Sequence, residues 1–389
     1  MAQALITPDV LTWARERAQI SIDVLSNKLS TKAERLEAWE RGEEKPTFKQ
    51  AQTLAQKLHI PFGYLFLSVP PVEKLPIPDL RTIGDSEPDT ISPEFRDLIN
   101  EVRRKQTWYR EYAIENEEEP FAYLGTFSLQ NSIEEVAKSM KETLSINAME
   151  RKKCSTREAY LKLLTEKIEA LGVLVMRNSI VGSNTSRPLS VQEFRGFAMG
   201  CTYAPLIFLN SSDANNAKIF TLIHELAHLW IDQSGISAVD LHAIENNKIE
   251  KFCNAVSAEV LVPTSEFHDQ WNRSRNLIDN AISTAQFFKV STFVTARRAW
   301  DLKFITASAF FDYYKQESER FDQQRLKKRS ESKGGGSYYA NIRVRNGTRF
   351  SEAVVVSALE GKLSYRDAAG YLSINSGSLT KFSQEIGIV

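Results

Sequence analysis

The sequence predicts a multidomain, mostly α protein in which an all-α N-terminal domain precedes an α+β domain built on a small three-stranded sheet. Three observations carry this. Helical periodicity with capping signals fills the first seventy residues. Three short apolar strands then follow one another between residues 173 and 209, with helical patterns on either side. A proline-rich run and a charged, glycine-ended run separate the foldable stretches.

The composition of the 389 residues is that of a chain able to bury a real core, 42% hydrophobic and 25% charged, which excludes collagen-like, disordered and disulfide-scaffold classes. Lysine plus arginine equals aspartate plus glutamate at 49 each, so no global field attracts nucleic acid or anionic membrane, and any DNA binding has to be local. Cys154, Cys201 and Cys253 have no metal-site spacing and point to a reducing compartment. The start of the chain lacks a basic, apolar leader and no 18-residue apolar stretch occurs, so the expectation is a cytoplasmic protein with no membrane partner.

Taken in order, Thr7-Pro8-Asp9 starts a first helix with an N-cap, a proline and an acid. A second covers Ile22 to Leu29. Thr31 and Glu34 read as a capping box opening a third, which runs through Trp39 and is stopped by Gly42 and Pro46. A fourth spans Phe48 to Leu58, and a short fifth holds Phe62 to Leu65. Six prolines between residues 69 and 93 mark an extended connector. Ser92-Pro93-Glu94 starts a long charged helix to Asn116, Ser132 with Glu135 caps another, and Thr156 to Leu171 is a third. The strands are Val173–Met176, Phe194–Ala198 and Pro205–Leu209, followed by helices over Asn215–Ile231 and Lys248–Leu261. Residues 316–333 are a solvated helix end leading to a triple-glycine joint, and a helical pattern resumes at 337. Similar helix-turn-helix patterns recur at 21–39, 284–300 and 364–382. The expected domains are 1–68, a 69–95 linker, a 96–165 helical connector, 166–310, a 311–336 linker and a 337–389 extension.

The informative string is Ile219-Phe-Thr-Leu-Ile-His224-Glu225-Leu-Ala-His228-Leu-Trp-Ile231. Four residues along a helix turn through about 400°, so both imidazoles leave the same face at the spacing of two nitrogen ligands on one zinc ion. Glu225 sits between them, where its carboxylate reaches a water held by such an ion and takes its proton. With five histidines in the chain, composition alone produces H-E-x-x-H roughly 0.005 times, so the motif is specific. The apolar residues around it predict a buried helix, whose histidines and glutamate need partners. The competing reading is two core histidines bonded to carbonyls. A catalytic zinc takes a third protein ligand, and His242, Glu245, Glu250 and Glu259 are the candidates, with Glu259 alternatively a partner that holds a histidine. Tyr203, Arg195 and His242 are candidates for stabilising an oxyanion.

These residues resemble a known family. FTLIHELAHLW, then E-x-x-x-N and A-E-V-L-V-P, together with Glu193–Ala198 and Ala204–Asn210 upstream, resemble the ImmA/IrrE-type zinc metallopeptidases over residues 166–310. The resemblance implies a zincin-like fold, one zinc per chain on His224, His228 and Glu250, and Glu225 as general base. Cys253 stands where the family more often has alanine. It also implies that a helix pair around 284–300 closes the peptidase domain. The substrate class it implies is a protein, commonly a repressor or antitoxin-like partner cleaved in stress, phage or toxin–antitoxin-like settings.

The 22–39 helix pair, ending in W-E-x-G-x-x-x-P, resembles an Xre/Cro-type helix-turn-helix. DNA through residues 1–68 is therefore a second expected partner, with Lys28, Thr31, Lys32 and Arg35 on the side that faces the duplex. Residues 1–70 carry nine basic and eight acidic residues, so a monomer would hold DNA weakly. The Pro71–Thr82 connector and the tail from Tyr338 resemble the corresponding parts of Xre–ImmA/IrrE fusions. The expected function is a zinc endopeptidase with a regulatory helix-turn-helix. The alternative is a DNA-binding regulator or antitoxin whose metal site is structural or sensory.

Overall fold

The computed structural model describes residues 2–72, 91–233, 235–237, 247–331 and 337–388, which divide into two compact units: the part up to residue 72 together with 91–100, and the part from 101 onward.

In the first unit α1 (Pro8–Arg17), α2 (Ile22–Leu29), α3 (Ala33–Glu40), α4 (Phe48–Lys57) and a 3-10 turn at Phe62–Phe66 enclose Leu11, Leu25, Leu36, Trp39, Leu54 and Leu65. The Arg15 guanidinium joins Glu40 at 2.6 Å, tying α1 to α3. The expected Thr31–Glu34 box does not form. Ser30 takes a left-handed conformation, the Thr31 hydroxyl turns back to donate to the Leu29 carbonyl at 3.4 Å, and α3 starts after Lys32 with no side-chain cap. The box that does form is Thr47 with Gln50, at the start of α4.

The chain continues through α5 (Pro93–Glu115), whose first turn is capped by Ser92, and α6 (Ile133–Thr143), where Ser132 and Glu135 exchange both capping bonds. Next come α7 (Ala148–Lys153) and α8 (Arg157–Ala170), capped by Asn147 and Thr156. The strands are β1 (Leu174–Asn178), a hairpin of β2 (Ile180–Val181) and β3 (Asn184–Pro188), then β4 (Gly196–Met199) and β5 (Leu206–Asn210). The three expected strands are β1, β4 and β5. β6 (Gly235–Ser237), after α9 (Asn215–Trp230), adds a fourth, in the order β1-β5-β4-β6. β1 runs parallel to β5, while β4 runs antiparallel to both of its neighbours.

α9 lies against β4 and β5 and between α8 and α10 (Lys248–Leu261), so it is buried from Lys218 to Trp230. Beyond it are α11 (Thr264–Gln270), α12 (Leu277–Phe288), α13 (Thr292–Asp301) and α14 (Ala307–Glu331). The triple glycine at 334–336 and most of the proline-rich run lie outside the described residues. The tail folds as α15 (Tyr338–Asn346), α16 (Thr348–Leu359), α17 (Tyr365–Leu372) and α18 (Leu379–Glu385), with α15 and α16 packed against β1. A buried Lys105, bonded to Glu101 at 2.7 Å and to Asn346 at 2.8 Å, anchors this tail to α5. Among the described residues no helix is long and apolar enough to cross a membrane.

Candidate metal centre

α9 is apolar on nearly every side, so packing holds it in place and presents His224, Glu225 and His228 at fixed positions. The carbonyls at its C-terminal end are taken by the loop before α6: Leu229 accepts from Gly125 and Trp230 from Phe127, both at 3.1 Å. Trp230 stacks on Tyr123 with ring centroids 5.0 Å apart and donates to the Ser139 hydroxyl.

His224 and His228 are fully buried, with their Nε2 atoms 3.0 Å apart. Glu250, in the first turn of α10, brings Oε2 to 3.0 Å from His224 Nε2 and Oε1 to 3.3 Å from His228 Nε2. Among the described residues this is the group of acidic, histidine or cysteine side chains whose ligand atoms converge, all within 4.8 Å. Asn254, one turn beyond Glu250, faces the His224 ring and favours its charged form.

Proton placement tests whether a cation fits. His228 Nδ1 lies 3.0 Å from the Gln233 carbonyl, which only accepts, so Nδ1 carries a proton and the ring turns its Nε2 toward the group. That Nε2 faces the His224 nitrogen and a carboxylate oxygen. Burial raises the Glu250 carboxyl, but the two rings beside it outweigh burial and hold it well below the usual carboxylate range. Burial pushes His224 below the ordinary imidazole value against the pull of Glu250, so a proton is a poor occupant there. Two lone pairs and a carboxylate spaced 3.0–3.3 Å match the edges of a tetrahedron with arms of roughly 2.0 Å, as zinc takes with nitrogen and oxygen ligands. The set fits a divalent metal.

Glu225 is fully buried on the side of α9 that faces the sheet. A Cβ on Gly196 would lie 3.0 Å from Glu225 Oε1, 2.8 Å from Thr221 Cγ2 and 3.0 Å from the Phe208 carbonyl. Glycine at this position is what lets β4 approach the carboxylate so closely, and sequence reasoning did not single it out. Its place in the strand after Phe194-Arg195 was the only signal.

The other residues considered from the sequence lie elsewhere. Glu259 bonds to Arg298 and, at 2.7 Å, to the Thr264 hydroxyl, so it clips the end of α10 to α13 and holds no histidine. Arg195 pairs with Asp213 at 2.9 Å, and Tyr203 sits in the turn between β4 and β5. His242 and Glu245 are outside the described residues. On the N-terminal pair, Lys28, Lys32 and Arg35 are exposed and Thr31 is half-buried, with Arg35 bonded to Glu44 at 3.2 Å.

A sheet backed by a buried helix that carries H-E-x-x-H, with a glutamate supplied from the next helix, defines a metallopeptidase-type domain. Residues 168–299 match the family profile described as the IrrE N-terminal-like domain, peptidase family M78, and the match includes His224, Glu225, His228 and Glu250. This part of the chain is thus similar to the ImmA/IrrE peptidases, a hydrolase class. Residues 346–385 match a domain of unknown function, DUF8813. No curated protein matches the chain.

Proposed function

We propose that the protein is a zinc-dependent endopeptidase that cleaves a specific protein, of the repressor or antitoxin kind, inside the cytoplasm. His224, His228 and Glu250 hold the ion, one per chain. When bound, zinc polarises a peptide carbonyl and makes water nucleophilic at neutral pH. Glu225 takes the proton of the attacking water on its carboxylate and returns it to the leaving amine. Gly196 leaves room for that carboxylate, and Gln233 keeps His228 in the tautomer that turns the Nε2 lone pair toward the ion. The observation that carries this reading is the buried His–His–Glu group on two packed helices with a glutamate between the histidines.

The helix pair α2–α3 serves this activity as a DNA-recognition element, with Lys28, Thr31, Lys32 and Arg35 toward the duplex. Its support is the exposure of Lys28 and Lys32 beside a tight turn.

The test is Glu225→Gln, assayed on the product of the neighbouring gene and on casein. Retained zinc with lost cleavage of the specific protein is expected. Unchanged biological function in this variant would favour the alternative, a DNA-binding regulator whose metal site is structural or sensory. Rapid, indiscriminate casein digestion by the native chain would refute narrow specificity.

A further inference from the structure

The tail does not close completely on the domain it packs against. Where α15 and the start of α16 meet β1, a cavity of about 350 Å3 remains. Val175 and Arg177 of β1, one face of α8, and Asn215, the first residue of α9, form its other walls. The volume falls within the range of small-molecule sites. The cavity lies at the seam of the two matched segments: Arg177 and Asn215 belong to the peptidase-like one, and Thr348 to the domain of unknown function.

Six charged side chains line this cavity, and five of them have partners. Glu158 accepts from the Asn215 side chain at 3.1 Å, and Glu166 lies 3.7 Å from Lys162. The buried Glu169 accepts from the Thr348 N–H at 2.7 Å, and Arg343 donates to the Thr348 hydroxyl at 3.2 Å. Arg177 is the exception. Its Nε is shut off from solvent without a hydrogen-bond partner, and its guanidinium forms no ion pair among the described residues.

The field around it is positive. Burial holds Arg177 below the ordinary guanidinium value, with Glu169 the one charge that opposes the shift. Arg177 in turn adds to the burial that pushes Lys218, in the first turn of α9, below the ordinary lysine value. α9 also opens at Ala214 without a side-chain cap, so the positive end of its dipole is added at the cavity wall. A desolvated cation with an unused donor costs free energy until an acceptor reaches it.

We infer that this cavity is a binding site for a small organic acid, its carboxylate held by Arg177 and its apolar body against Leu161, Val175 and Val344. The guanidinium fork matches a carboxylate with two parallel hydrogen bonds. The lining also selects one negative charge over two. It carries three cations and three acids, so a doubly charged phosphate would meet Glu158 and Glu166 with only Arg177 unspent. The site uses none of the metal ligands and stands whether or not the peptidase reading holds.

The test is titration of the full chain with benzoate and hexanoate, beside benzamide, hexanamide and inorganic phosphate, read by calorimetry and thermal unfolding. Both acids should bind and raise the unfolding temperature of the second unit. Their amides, alike in shape but uncharged, should bind about tenfold or more weakly. Arg177→Met should weaken acid binding by about the same factor. It should leave the unfolding temperature of the ligand-free protein unchanged or higher, because the native side chain has no partner to lose. Ala340→Trp fills the cavity from an exposed position without altering a charge, and should block both acids. Acids and amides binding alike, phosphate binding in preference to the acids, or no binding by any of them would overturn the inference. So would acid binding undiminished in either variant, or a ligand-free Arg177→Met protein that unfolds well below the parent.

Discussion

Replacing Gly196 with alanine adds one methyl group at the point where β4 passes α9, and the structure shows what that methyl meets. Its nearest neighbours would be Thr221 Cγ2 at 2.8 Å, Glu225 Oε1 at 3.0 Å and the Phe208 carbonyl oxygen at 3.0 Å. All three are inside contact distance, and two belong to a buried helix and a paired strand that cannot simply retreat. Overpacking of this kind costs about 1–3 kcal/mol. That lowers the melting temperature by roughly 2–4 °C for each kcal/mol in a unit of this size. The Glu225 carboxylate is the softest of the three neighbours, so it moves. A displacement near 1 Å at a catalytic group costs about a hundredfold in rate. Zinc content should be unchanged, because the added methyl meets Thr221, Glu225 and Phe208 and none of His224, His228 and Glu250. Thr221→Ala removes the closest clash and should restore part of the lost stability in the double variant. Its own hydroxyl only bonds back to the Ala217 carbonyl at 3.2 Å. Chemical denaturation, metal analysis and cleavage rates of the four proteins in this cycle make the measurement. A Gly196→Ala protein equal to the parent in both stability and activity would refute the reasoning.

Other outcomes follow from the same geometry. Arg298→Ala breaks the buried clip to Glu259, Thr264 and the Val262 carbonyl, and should cost about 3–5 kcal/mol by denaturation while leaving zinc binding intact. Chelation of the metal should lower the unfolding free energy of the second unit by about 4 kcal/mol, if zinc had been present at a thousand times its Kd, and leave the first unchanged. The Lys32→Ala, Arg35→Ala double variant should weaken DNA binding by the N-terminal pair and lower its salt dependence, read by titration at several salt concentrations. Deleting residues 1–68 should reduce cleavage of the specific substrate and spare the metal site, since the ligands lie beyond residue 220.

What was legible in the sequence was whatever local chemistry decides. The bounds of α2 and α10 and the box at Ser132 depend on caps and periodicity within a few residues, and they could be read directly. Thr31 with Glu34 satisfied the same local rule, yet the left-handed Ser30 set the helix start one residue later and left the Thr31 hydroxyl to the turn. Short elements such as α7, α11 and the β2–β3 hairpin carry too little periodicity to be recognised. In the site, the spacing of His224 and His228 was plain because both sit on one helix. Glu250 was one of four candidates, because only the packing of α10 on α9 brings it near. Gly196 and the Gln233 carbonyl were invisible for a related reason. One acts from another strand, and the other is a backbone atom with no residue-type signature. Glu259 misled because its partner, Arg298, comes from far along the chain.

The central claim is that His224, His228 and Glu250 together hold one zinc ion. Metal analysis of the purified native chain, beside Glu250→Ala and His224→Ala, tests it most directly. One zinc per native chain is predicted. Each variant should lose most of its affinity, since two ligands alone cannot compensate the ion's charge in a buried site. Full zinc occupancy in Glu250→Ala, or a native chain that takes up no zinc, would contradict the account.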